Sequence, residues 1–197
     1  MTAREGADGS AESLRLFVAV DLPERAKEEI RALQEGLPGV RWTPVEQLHL
    51  TLRFIGAADL PLFARVRSAL ATVRCRPFSL EVRGAGRFPP GGPPRVLWVG
   101  LAENDTLGLL YREVERALAG AGLEPEGRRF SPHITVARLK EPRRPDVAAW
   151  LERQGGFAVP PFNVEAFHLY SSVLTAAGAV HRREGSWRLE EQPLPIP

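Results

Sequence analysis

Apolar residues in this chain gather into short dense runs at strand spacing and, between them, into stripes at helical spacing. Leu14 to Leu22 reads as a strand that ends at Pro23. From Glu24 to about Leu37, the residues Ala26, Ile30, Leu33 and Leu37 recur at helical spacing, and Pro38-Gly39 stops them. Val40 to Thr43 and Leu48 to Ile55 read as two strands joined by a tight connection. A second helix fits Leu60 to about Val73, with Leu62, Val66, Ala69, Leu70 and Val73 on one face. Phe78 to Phe88 and Arg95 to Leu101 predict a hairpin, because the Pro- and Gly-rich segment between them cannot continue a ladder. A third helix fits Asp105 to about Ala119, closed by Gly120 and Gly122. His133 to Leu139 then reads as a strand and Asp146 to Gln154 as a short helix. Phe162 to Val173 and Val180 to Glu190 read as closing strands. Residues 1–13 are polar and aperiodic and predict a mobile tail.

Strands outnumber helices, and their connections suit antiparallel pairing better than repeated parallel crossovers. The expected fold is α+β: one bilobal domain over residues 14–197, made of two similar lobes, each a small antiparallel sheet backed by helices. Gly84-Ala85-Gly86 lacks the context of a dinucleotide-binding loop and reads as a bulge or bend.

Two of the predicted strands carry nearly the same tetrapeptide, His49-Leu50-Thr51-Leu52 and His133-Ile134-Thr135-Val136. Successive side chains on a strand alternate between faces, so His and Thr of each copy share one face about 7 Å apart, with the aliphatic residues behind. Brought together, the two copies would set two imidazoles and two hydroxyls around one small space. That is an acid, a base and two hydrogen-bond donors, suited to breaking a phosphate ester without metal. An Arg follows each Thr, Arg53 and Arg138. The competing reading is two ordinary strands whose histidines are satisfied locally. The other two histidines, His168 and His181, lack a Thr partner and are expected to be structural or exposed.

The order of motifs is more specific than either tetrapeptide. Arg15 to Pro23, Arg41-Trp42 followed by His49 to Gly56, Pro94 to Gly100, and Phe130 to Arg138 occur in succession, with Ser171 to Leu174 and Gly178 near the end. Together they resemble the RNA 2′,3′-cyclic phosphodiesterases, or 2′-5′ RNA ligases, of the two-histidine phosphoesterase superfamily, over about Arg15 to Leu189. The resemblance implies that the two histidine strands face across a central cleft and that both termini belong to one lobe. It also implies that His49 protonates a departing O3′ while His133 activates water, leaving a 2′-phosphate end. Thr51 and Thr135 would donate to the non-bridging oxygens. Arg138 is a phosphate contact by resemblance alone; strict alternation from Thr135 puts it on the opposite face, and a strand end or bulge is needed to turn it inward. One departure from the family pattern is His181, where a Tyr is expected.

Composition fits this setting without deciding it. The 197 residues are 44% apolar and 25% charged, with a net charge of +2, ordinary for a soluble globular protein. Lys27 and Lys140 are the only lysines among 26 basic residues; arginine forks suit phosphate, although base composition of the genome gives the same bias. A lone Cys75 excludes an internal disulfide framework and a cysteine-based zinc site, and reads as a buried small side chain. No apolar run nears the ~20 residues of a membrane span, and the amino terminus does not read as a secretory signal. The expectation is a cytoplasmic monomer with no metal and no cofactor, acting on RNA with 2′,3′-cyclic phosphate ends, such as tRNA fragments or oligonucleotides. Phe54, Trp42, Trp98 and Phe130 are candidates for stacking on a base, and the Arg-rich segment 141–145 for flanking an RNA strand. The alternatives are 2′-5′ ligation, cleavage of cyclic-phosphate nucleotides or 2′-5′-linked oligonucleotides by the same residues, and a non-catalytic module that binds RNA ends.

Overall fold

The computed structural model describes residues 13–139, 147–175 and 178–190. All of the expected tail except Ser13, and the Arg-rich segment 141–145, lie outside the described residues. In chain order the elements are β1 (Leu14–Asp21), α1 (Glu24–Arg31), β2 (Arg41–Trp42), a 3-10 turn (Val45–Gln47), β3 (His49–Ala58) and α2 (Leu60–Leu70). There follow β4 (Phe78–Phe88), β5 (Val96–Leu101), α3 (Asp105–Gly120), β6 (Ile134–Arg138), α4 (Val147–Arg153), β7 (Ala158–Val164), β8 (Ala166–Thr175) and β9 (Gly178–Arg188).

Local sequence explains most boundaries. Asp59 caps α2 by accepting from the Leu62 N–H at 2.8 Å, and Asn104 caps α3 through the Leu107 N–H at 2.9 Å. Helix α1 ends six residues before the predicted Leu37. Its last turn relaxes into i→i+3 bonds, and Gly36 takes a positive φ of 74° that the helix cannot accommodate. Leu33 and Leu37 stay buried in the turn that follows, so their helical spacing reported burial and not helix. The expected closing strand over Phe162 to Val173 is in fact two strands, β7 and β8, split at Glu165 and running to different partners. β7 tolerates Pro160 and Pro161 because it is an edge strand.

All pairings are antiparallel, in the order β7-β4-β5-β6-β3-β1-β8-β9, with β2 added on β6. The two expected sheets are therefore joined edge to edge: β3-β1-β8-β9 form one half, β7-β4-β5-β6 the other. The first strand and the last two share a half, as the resemblance implied. The join is a single register pair, Leu50 opposite Ile134. On one face, Leu16, Val18 and Val20 of β1 meet buried residues from all four helices in one continuous core. The opposite face holds Phe17 and the cleft. Among the described residues no helix is long and apolar enough to cross a membrane.

Candidate active site

Leu50 and Ile134 are completely buried, so they point into the core and turn their neighbours to the other face. His49, Thr51, His133 and Thr135 all line one cavity of about 860 Å³ there, and Arg138 lines it too. Antiparallel order around the Leu50–Ile134 pair runs His49 toward Thr135 and Thr51 toward His133.

Each His-x-Thr is followed by the same irregularity. In β6 the register against β5 steps from Ala137 opposite Leu97 to Thr135 opposite Trp98, leaving Val136 as an extra residue. In β3 the register against β1 steps from Arg53 opposite Val18 to Thr51 opposite Ala19, leaving Leu52 as the extra residue. A bulge of one residue brings the third residue after each Thr to the cavity side. Those residues are Arg138 and Phe54, both on the cavity wall. The bulge resolves the alternation problem for Arg138. It also breaks the apparent pairing of Arg53 with Arg138: Arg53 turns away and pairs with Glu115 at 3.2 Å.

The two rings are held alike. The His49 Nδ1–H donates to the Gln47 carbonyl at 2.7 Å, and the His133 Nδ1–H to the Ser131 carbonyl at 2.8 Å. A carbonyl can only accept, so Nδ1 carries the proton and Nε2 is left as the atom that gains or gives one. In His49 that Nε2 lies 3.1 Å from the Thr51 hydroxyl. Aromatic walls fix each ring from the side. His49 packs on Phe17, with centroids 5.0 Å apart, and His133 meets Phe88 edge-on at 4.9 Å. Trp98 stands behind His133 at 6.3 Å, and its ring covers Gly86 so closely that a Cβ there would sit 2.2 Å from it. The Gly84–Gly86 stretch is the expected bulge: register shifts between Val82 and Ala85, with Gly84 at a φ of +71°.

Burial pushes the His49 pKa down to about 4. The Gln47 carbonyl works against that shift, His181 and Arg138 add to it, and Asp21 opposes it. His133 is lowered for the same first reason, with Ser131 opposing and Arg138 adding. Arg138 thus stands near enough for its charge to act on both rings. Both imidazoles are therefore neutral at neutral pH, with burial the main cause and Arg138 a lesser one.

Other expectations fare unevenly. Phe54, exposed by 59%, and Trp42 line the cavity, whereas Phe130 instead stacks on Tyr111 at 4.0 Å. His168 is buried against the Ser186 hydroxyl, as a structural histidine should be. His181 is not remote: it lines the cavity and meets His49 edge-on at 5.4 Å. It reaches the site through the hairpin register that puts it opposite Ser172, which the sequence near His181 does not announce. Arg15, Arg41, Gln47 and Phe88 also border the cleft; Arg15 and Arg41 lie in segments that carry the family resemblance, but the resemblance assigns neither of them to the site.

An α+β sheet with a duplicated histidine strand at its seam, and both copies opening on one cavity, is the architecture of a two-histidine phosphoesterase. The chain belongs to the LigT-like phosphoesterase family, which it matches over residues 20–98 and again over 99–181, one match for each half of the site. It is similar to an RNA 2′,3′-cyclic phosphodiesterase of Archaeoglobus fulgidus, with 33% identity over 86% of this chain and 97% of that one. A protein of the same name from Thermus thermophilus is 36% identical over 85% of this chain and 86% of its own. Among solved structures, E. coli LigT complexed with 3′-AMP superposes with a TM-score of 0.72 and 25% identity, over 91% of this chain and all of that one.

Proposed function

We propose that this protein hydrolyses the 2′,3′-cyclic phosphate ends of RNA to 2′-phosphate ends, with His49 and His133 as general acid and base and without a metal. The observation that carries the reading is the pair of imidazoles, each locked through Nδ1 with Nε2 available, over a cavity that also holds Thr51, Thr135 and Arg138. The activity for which these relatives are named supports the substrate class.

In this mechanism His133 Nε2 takes a proton from water as the water oxygen attacks phosphorus. The P–O3′ bond breaks, and the imidazolium of His49 gives its proton to O3′, so charge and protons balance over the step. Such proton transfers are each worth about 10² to 10⁴ in rate. Thr51, Thr135 and Arg138 hold the non-bridging oxygens where charge collects. The substrate phosphate brings a negative charge that offsets Arg138 and restores to His49 the stabilisation lost on burial. Protonation of His49 therefore accompanies binding. The test is incubation of an oligonucleotide ending in a 2′,3′-cyclic phosphate, in EDTA, followed by identification of the terminus. A 2′-phosphate is expected; a 3′-phosphate would reverse the two roles, and no turnover until a divalent cation is added would overturn the mechanism.

A further inference from the structure

Three of the four histidines have Nδ1 tied to a protein oxygen: His49 to Gln47, His133 to Ser131, and His168 to the Ser186 hydroxyl. His181 differs. Among the described residues neither of its ring nitrogens has a hydrogen-bond partner, although the ring is half-buried and lines the cavity. Drawing a polar group from water without a partner is costly, so this ring is set to bond what enters the cleft. It is also firmly placed. β9 is the third strand out from β3, and a flat sheet would hold the two ~14 Å apart. The half-sheet curls instead and brings the His181 ring edge-on to His49 at 5.4 Å and to Phe17 at 4.9 Å. Gln47 anchors the curl: its side-chain amide donates to the Ala179 carbonyl at 2.7 Å, while its own carbonyl holds the His49 Nδ1–H.

Position decides which part of a substrate this ring meets. His181 packs on rings of the β3-β1-β8-β9 half, whereas His133 packs on Phe88 and Trp98 of the other half. In the hydrolysis proposed above, phosphorus lies between His133 with its water and His49 with O3′. A group beside His49 therefore faces the ribose that carries O3′, and the base attached to it. Burial lowers the His181 pKa, so the ring is neutral at neutral pH and offers one donor and one acceptor. That pair suits hydroxyls and base edges, and it adds no positive charge beside the His49 imidazolium. We propose that His181 hydrogen-bonds the sugar or base of the terminal nucleoside, so that the site reads a nucleoside and not the phosphate alone. The inference rests on the proposed reading of the site and names the part of the substrate that is recognised.

The test titrates a nucleoside 2′-phosphate and inorganic phosphate into the wild type, His181→Phe and His181→Tyr. His181→Phe keeps a ring against Phe17 and loses both nitrogens. It weakens the nucleoside 2′-phosphate about 3- to 10-fold, the worth of one hydrogen bond, and leaves inorganic phosphate within about twofold. His181→Tyr carries a hydroxyl and recovers part of the loss. In turnover of a nucleoside 2′,3′-cyclic phosphate, His181→Phe raises KM by a similar factor and leaves kcat within about twofold, as loss of a uniform binding contact does. A ring that merely props His49 lowers kcat instead. Equal weakening of both ligands, weakening of neither, or a loss confined to kcat overturns the proposal. If the wild type turns over no cyclic phosphate while the difference in binding persists, the hydrolytic reading fails and the role of His181 stands. If that difference is absent, the role of His181 fails whatever the turnover.

Discussion

Leu50 faces Ile134 across the seam between β3 and β6, and through this one buried pair the two halves of the sheet meet. The directions of His49, Thr51, His133 and Thr135 follow from it, because a strand residue aimed inward sends its neighbours outward. Truncating Leu50 to Ala removes packing at the seam and should cost about 2–5 kcal/mol. Denaturant unfolding measures that cost. In the protein that remains folded, kcat should fall as well, since both histidines hang from the loosened join. An Ala at Val114, buried in α3 and not on a seam strand, should lower stability and change kcat less.

The two arginines that follow the threonines should separate cleanly. Arg138→Gln should lower kcat/KM by about 10- to 100-fold through loss of a charge-assisted phosphate contact, with little change in melting temperature. Arg53→Gln should do the reverse. Its guanidinium is 10% exposed and bonded to Glu115, which is 17% exposed, so removing it strands a mostly buried carboxylate at a cost of about 3–5 kcal/mol. The comparison is read by paired kinetics and calorimetric melting. Activity lost in Arg53→Gln at full stability would contradict the assignment.

These arginines also mark how far the sequence could be read. Hydrophobic spacing located nearly every element, and the repeated His-x-Thr located the four side chains around the cavity. The spacing misled where burial continued past a helix end, at Leu33 and Leu37, and where one residue, Glu165, separated two strands bound for opposite halves. The bulges at Leu52 and Val136 were not legible, because an extra residue in a strand leaves no mark on apolar periodicity. They alone decide that Phe54 and Arg138, and not Arg53, face the cleft. His181 reaches the site by tertiary register, which no local pattern encodes.

Acidity should govern the rate in one direction. Burial holds His49 near pKa 4 and lowers His133 also, so the singly protonated form is scarce at neutral pH. On the alkaline side kcat/KM should fall by about tenfold per pH unit, one proton, starting below pH 6.5. The corresponding limb for kcat should lie at higher pH, because bound phosphate stabilises the imidazolium. A full pH profile of both constants checks the order of the two limbs.

Stability should move the opposite way. All four histidines have lowered values in the folded protein, so the unfolded chain binds more protons between about pH 6.5 and 4. Stability is therefore full above pH 6.5 and is lost as pH falls through that window. His49→Asn should flatten the loss by up to about 3 kcal/mol across it, seen as converging melting curves at low pH.

Gly86 offers a test of the wall behind His133. A methyl group there meets the Trp98 ring at 2.2 Å, so Gly86→Ala should displace the indole, cost about 1–3 kcal/mol by overpacking and lower kcat through His133. Gly127, with open space around its Cβ position, should accept Ala without either effect.

The central claim is that two imidazoles act on one phosphorus atom. Turnover of a cyclic-phosphate-ended oligonucleotide by His49→Ala, His133→Ala and the double variant, each shown to be folded, tests it most directly. Each single variant should lose about 10² to 10⁴ in kcat, and the double variant should lose far less than the product of the two, because acid and base serve the same step. Undiminished turnover in either single variant, or losses that simply multiply, would contradict it.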